Sequence, residues 1–317
     1  MTDYRALLTA LAVPRRTGTA LNHQVRERLK RELGARGLVV MEHRFTGRSY
    51  LHHLGRVPLE GVNLIAVRPR ARVTTWLVAH YDSKGQPLSM AGRLAAAGLA
   101  VLGALELLAA AVRAMTGALH VGTPDLVAVF ATLGGVLLLA VNRATDRSAG
   151  AVDNATGVVA ALATLDALPV TAAVGVLFPD AEEYGMLGAR ALPRERANLF
   201  ADTGIVNFDG VDDRGRTIAL VHRGGPLVDR AVTMLGARRA RWLPIFVDGL
   251  VLAGVARESV TLMRGDWRTA RLVHTPRDSA DRLTLDGARE VARGVAAAVR
   301  FNVVTAEPTL QGGESAR

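Results

Sequence analysis

Short apolar runs alternate with helical patterns along most of this chain. Residues 37–41, 61–67 (GVNLIAV), 74–79 (TTWLVA), 174–178 (VGVLF), 204–208 (GIVNF) and 259–263 (SVTLM) read as strands. Between and after them, residues 155–167, 226–236 and 286–300 carry apolar residues at helical spacing. Residues 20–33 (ALNHQVRERLKREL) do the same and stop at Gly34, a residue type that readily closes a helix C-terminus. Leu7 to Val13 reads as an ordinary first helix. Strands alternating with helices predict an α/β sandwich with a largely parallel sheet. The end of the chain, 306–317 (AEPTLQGGESAR), has the composition of a disordered tail.

Residues 90–142 break this pattern. Two segments, 94–112 (LAAAGLAVLGALELLAAAV) and 126–141 (LVAVFATLGGVLLLAV), are apolar on every side rather than along one stripe. The first has the length that crosses a hydrocarbon core; the second is slightly short unless Thr123 to Leu126 contribute. Glu106, near the middle of the first, costs about 2.5–3.5 kcal/mol on insertion. The all-round apolar character favours a membrane-inserted helical hairpin over a soluble lid or an oligomerisation arm, and predicts membrane association through residues 94–141. Arg93, Arg143 and Arg147 flank the outer ends, whereas the connector MTGALHVGTPD has no Lys or Arg. The positive-inside rule then expects the rest of the chain on the cytoplasmic side.

Composition narrows the chemistry. At 317 residues the chain is long enough for one large α/β domain with a substantial core. It has no cysteine, which excludes disulfides, thiolate metal sites and a cysteine nucleophile. Any transition metal must be held by imidazole and carboxylate. The net charge of +10 comes from scattered Arg, with 4% aromatic residues and no dense basic run, so no nucleic-acid partner is expected. The apolar run at Leu7 ends in Pro14-Arg15-Arg16 without a small-residue cleavage pattern, so no secretory signal is expected.

Candidate chemistry lies in five ordered segments: His80-Tyr81-Asp82, Asp153-Asn154, Glu182-Glu183, Asp209, and His274-Thr275-Pro276-Arg277-Asp278. Most follow a predicted strand, as ligand-binding groups do at the carboxyl edge of a parallel sheet. Each is weak alone. A His after a strand is commonly structural, Asp153 could cap the following helix, and Asp209-Gly210 could be a turn. Together they supply two His, two Asp and one Glu as ligands, with a second Glu left over as a base. That is the inventory of a two-metal hydrolase.

The motifs VAHYDS (78–83), AVDNATG (151–157), AEEYGMLGAR (181–190), IVNFDG (205–210) and HTPRDSADRL (274–283) resemble those of peptidase family M28, the co-catalytic zinc aminopeptidases of bacterial leucyl aminopeptidase type. RRTGTALN (15–22) and GVNLIAV (61–67) are similar to that family's opening. The resemblance implies a three-layer α/β/α sandwich with a mostly parallel, mixed central sheet. It also implies two zinc ions per chain, His80 and Asp209 holding one, Glu183 and His274 the other, and Asp153 bridging them. Glu182 would be the general base of peptide hydrolysis, and Asp82 would accept the other N–H of His80 and fix its tautomer. The implied substrate is a peptide with a free N-terminus.

Asp248 aligns with a recurring Ser-Asp-His-like position of the family, but its neighbours here are Val247 and Gly249, which leaves specificity at that subsite open. Asn154 reads as a supporting residue or helix cap, and Asp278 as a loop-orienting group. Relatives cross the interval from His80 to Asp153 by a short loop; here the apolar hairpin is inserted. Residues 1–89 and 143–305 are thus expected to form one metallopeptidase domain, with 90–142 as an inserted hairpin beside the metal site. Two alternatives remain: a glutaminyl-cyclase-like acyltransferase with one zinc, and a non-catalytic membrane scaffold. Oligomeric state is not legible.

Overall fold

The computed structural model describes residues 2–49, 57–117 and 121–304. Two helices, α1 (Tyr4–Leu11) and α2 (Ala20–Ala35), lead into strands β1 (Val39–Ser49), β2 (Val57–Val67) and β3 (Thr75–Val78). The chain then leaves the sheet as α3 (Met90–Met115) and α4 (Thr123–Ala140) and returns as α5 (Thr156–Ala167). Next come β4 (Val174–Phe178), α6 (Leu187–Glu195), β5 (Gly204–Val211), β6 (Arg216–Arg223), α7 (Pro226–Leu235) and β7 (Arg238–Ala240). The short α8 (Asp248–Leu252), β8 (Glu258–Gly265), α9 (Trp267–Leu272) and α10 (Asp286–Val304) complete the described chain.

The eight strands among the described residues form one mixed sheet in the order β1-β2-β4-β3-β5-β8-β6-β7. The central four, β4, β3, β5 and β8, run parallel, and antiparallel pairs join the outer strands to them. Period-two alternation divides the core. Trp76, Val78, Leu177 and Ile205 face Leu192 of α6 and Leu252 of α8. Their neighbours Leu77, Val176 and Val206 face the opposite side, with α1, α2, α5, α7 and α10. This is the expected three-layer α/β/α sandwich, with helices on both faces of a sheet whose buried centre is parallel.

The elements differ from the sequence reading at several places. Helix α2 continues past Gly34; Gly37, at φ 74°, turns the chain instead, and the Leu38 N–H returns to the Leu33 carbonyl at 3.2 Å. Strands β6 and β7 were not anticipated. β7 has three exposed or half-exposed residues held by ladder bonds to β6, a backbone pairing with no apolar signature. The tail, 306–317, and His52, His53 and His120 lie outside the described residues.

Helices α3 and α4 pack on each other through small residues. A Cβ added to Gly103 would lie 2.6 Å from the Ala128 carbonyl, and one at Gly135 would lie 2.5 Å from that of Ala96. The rest of both surfaces is open: Leu102 is 68% exposed, Phe130 73% and Leu137 63%. Both helices are long and apolar enough to cross a membrane, with mean hydropathy 2.1 and 1.8 over their most apolar stretches. Glu106 is not isolated: Arg113 donates to it at 2.9 Å and to Asp125 at 2.8 Å. Arg113, just ahead of the connector, puts a cation at the hairpin tip that the flank reading left out. There it faces two carboxylates.

The hairpin is pinned at its neck. Gly85 and Thr145 exchange backbone hydrogen bonds of 2.7 Å, Gln86 Nε2 donates to the Asn142 carbonyl, and the Leu88 N–H donates to Asn142 Oδ1. The Gln86 N–H reaches the carbonyl of His274 at 2.8 Å, which ties the neck to the loop after α9.

Candidate metal centre

The carboxyl edge of the sheet collects the candidate groups. His80 and Asp82 follow β3, Glu182 and Glu183 follow β4, Asp209 sits near the end of β5, and His274 follows α9. Asp153 lies in the irregular turn that opens α5. Two triads result, each with ligand atoms within 4.8 Å of one another: His80, Asp153 and Asp209, and Asp153, Glu183 and His274. Asp153 belongs to both. Its Oδ1 is 3.2 Å from His80 Nε2 and its Oδ2 is 2.9 Å from His274 Nε2. Glu183 Oε1 is 3.0 Å from the same His274 nitrogen, and Asp209 Oδ1 is 3.8 Å from His80 Nε2.

Backbone donors shape the cradle. Asp82 lies 3.4 Å from His80 Nδ1 and accepts from the N–H groups of Glu182 (3.1 Å) and Glu183 (3.2 Å). One carboxylate therefore holds the loop that carries the two glutamates and lies beside the His80 ring. Asp278 accepts from the N–H groups of Val152 and Asp153, so it orients the turn beneath the shared ligand. Asn154 donates to the Phe208 carbonyl and accepts from the Gly210 N–H, which brackets Asp209.

The electrostatics are those of crowded buried acids. Burial opposes charge on Asp153, but His274 and His80 outweigh it and hold its carboxyl well below the usual range. Glu183 falls to about 2 for a similar reason: burial raises it, while His274 and Lys84 lower it further. Glu182 moves well up, driven by burial and by the charges of Asp209, Glu183 and Asp248, against the pull of His80. His80 is raised well above an ordinary imidazole, because the surrounding carboxylates overcome burial. Glu182 Oε2 is 4.0 Å from His80 Nε2, at the edge of the cluster.

A divalent cation fits this arrangement. The Nε2 atoms of His80 and His274 and Oδ1 of Asp153 are buried without a hydrogen-bond partner. Leaving such atoms bare costs about 1–3 kcal/mol each. Imidazole and carboxylate at this spacing are the donors of a borderline metal ion.

The sequence profile of peptidase family M28 matches residues 63–240, more than half of the chain. The chain belongs to peptidase family M28. The matched span contains His80, Asp153, Glu182, Glu183 and Asp209; His274 and Asp248 lie beyond it. No curated protein matches the chain in sequence. Solved structures share its fold at low identity. A Zn-dependent exopeptidase from Parabacteroides distasonis has a TM-score of 0.62 at 18% identity, covering 93% of this chain and 96% of that one. A zinc aminopeptidase from Bacillus subtilis scores 0.61 at 12% identity, over 94% of both chains. A glutaminyl cyclase from Fimbriiglobus ruber scores 0.60 at 17% identity, also over 94% of both.

Three further residues of this M28 site were not among the predicted site residues. Asp248, at the start of α8, is fully buried with neither carboxylate oxygen bonded, and burial together with nearby carboxylates raises it to about 8. In sequence it aligns with a Ser-Asp-His-like position of the family, flanked here by Val247 and Gly249, and no metal or catalytic role follows from that alone. Lys84, directly after the HYDS motif, places Nζ 2.8 Å from Glu183 Oε2 and donates to the Glu183 carbonyl. Arg93 of α3 places Nη2 2.6 Å from His274 Nδ1. In sequence it looked like a membrane flank. Two other described histidines have partners away from this cluster: His43 pairs with Glu195, and His222 with Thr261.

Proposed function

We propose that this chain is a two-zinc aminopeptidase whose α/β body works at a membrane surface. One observation carries the reading: a single carboxylate, Asp153, is shared by two His-containing triads whose Nε2 atoms lack any hydrogen-bond partner. His80, Asp153 and Asp209 would hold one ion; Asp153, Glu183 and His274 would hold the other. Zinc bound there would supply Lewis acidity to a water molecule and to the substrate carbonyl.

The chain's own residues do the rest. Glu182 takes the proton of the attacking water and returns it to the leaving amine. Asp82 keeps the His80 N–H on Nδ1 and leaves Nε2 free as a ligand. The concentration of carboxylates favours a substrate with a free N-terminal amine. The exposed apolar surface of α3 and α4 would be covered by lipid, with Arg93, Arg143 and Arg147 on the cytoplasmic side.

Metal content and hydrolysis of aminoacyl anilides, measured on wild type and Glu182→Gln, test this reading. The variant should keep its metal and lose ~10²–10⁴ in rate. Wild type with both ions bound and no hydrolysis would defeat the assignment. Because a glutaminyl cyclase shares the fold as closely as the aminopeptidase does, a peptide with N-terminal glutamine belongs in the same assay. Cyclisation without hydrolysis, on one zinc, would replace the proposed activity.

A further inference from the structure

The two imidazoles of the centre present the same atom to Asp153 and opposite partners behind it. His80 Nδ1 faces Asp82, a carboxylate that accepts. A hydrogen on Nδ1 suits that neighbour, although no hydrogen bond is formed at 3.4 Å, and would leave Nε2 to a metal. His274 Nδ1 faces Arg93 Nη2 at 2.6 Å. A guanidinium has donors only, so here Nδ1 must accept, and the hydrogen of the neutral ring sits on Nε2. That is the nitrogen a metal needs.

The surrounding charge reinforces the difference. The groups touching the first ligand set are carboxylates: Asp82, Asp153 and Asp209. The second set has two carboxylates, Asp153 and Glu183, and two cations in contact, Lys84 on Glu183 and Arg93 on His274. Arg93 lies within the first turn of α3, after the Ser89 cap, and the hairpin neck bonds directly to the His274 carbonyl.

We propose that Arg93, carried by the inserted hairpin, makes the Asp153–Glu183–His274 position the weaker of two zinc sites by occupying His274 Nδ1. The proposal rests on the two-zinc reading above. For zinc to bind at full strength there, Arg93 must withdraw and let the ring hydrogen move to Nδ1. Arg93 is thus a positioning residue that links the seating of the hairpin to occupancy of one metal position.

Zinc titration of metal-stripped, full-length protein in detergent, followed by calorimetry and by metal counting after dialysis, tests this. Wild type should take up zinc in two steps, the second at least about 10-fold weaker, the scale on which partners of metal-bound histidines act. Arg93→Met removes the donor, and Arg93→Gln offers an amide oxygen that can accept from Nδ1–H. Both should tighten the second step about 10-fold and leave the first within about threefold. Arg93→Lys, which keeps a donor, should behave as wild type. Equal steps in wild type, or a second step unmoved in Arg93→Met with the first intact, would overturn the proposal. If wild type binds no zinc at all, the two-zinc reading fails instead. The ring hydrogen is read independently from imidazole nitrogen NMR shifts of metal-free wild type. A His274 hydrogen on Nε2 is expected; one on Nδ1 refutes the role of Arg93 even if the variants do not fold.

Discussion

Helix α5 and the hairpin helices α3 and α4 have the same sequence character and opposite surroundings. All three are apolar on every side. In α5, every residue from Thr156 to Leu162, then Thr164 and Leu165, is buried between the sheet and α10. In α3 only Ala91, Ala96 and Gly103 are buried, and in α4 only Asp125, Ala128 and Gly135. The helices even satisfy interior hydroxyls alike, Thr164 donating to the Ala160 carbonyl and Thr132 to that of Ala128. What differs is the set of neighbours. An all-round apolar helix needs an apolar medium on all sides; the body supplies it to α5, while α3 and α4 supply each other with one stripe. Much of their remaining surface is exposed, and lipid is its proposed neighbour.

If the body carries the chemistry and the hairpin the location, substitutions should separate the two. The largest effect is expected for Glu182→Gln, a fall of ~10²–10⁴ in hydrolysis with unchanged binding to lipid vesicles. A loss of vesicle binding in that variant would break the division.

One new carboxylate in each helix comes next. Val159→Asp buries an unpaired charge in α5 and should cost about 3–5 kcal/mol in urea unfolding. Leu133→Asp, at a site 62% exposed, should leave that unfolding midpoint alone and weaken vesicle partitioning by about 2.5–3.5 kcal/mol. Vesicle sedimentation equal to wild type would remove lipid as the missing neighbour and favour a lid or an arm.

The smallest effect tests the stripe where α3 meets α4. Gly135→Val overpacks a crossing in which a Cβ already falls 2.5 Å from the Ala96 carbonyl, at a cost of about 1–3 kcal/mol. Faster hydrogen exchange in α4, with no change in α5, is the expected signature. Equal exchange would mean that the helices are held by the neck alone.

Much of this was legible along the chain. Of the six groups proposed as ligands and base, four stand at strand ends, Asp153 opens α5 and His274 follows α9; tertiary structure brings them to one sheet edge. Asp82 and Asp278 were expected to orient their surroundings, and each accepts backbone hydrogen bonds from a segment that carries candidate ligands. The misses share a cause. Strand β7 is made of backbone pairing without apolar pattern, and Lys84 and Arg93 act through contacts with residues 99 and 181 positions away. No local spacing encodes such contacts.

Local chemistry alone determined the alternation of most strands and helices, the donor types open to a cysteine-free chain and the apolar character of the hairpin, because period and composition are properties of neighbouring residues. Tertiary structure decided which buried acids share a site, which cations touch them, and that the two histidines differ behind the nitrogens they turn to Asp153. Those facts depend on side chains meeting across the sheet edge and the hairpin neck, where a hydrogen-bond donor or acceptor a few ångströms away sets what each ring can bind.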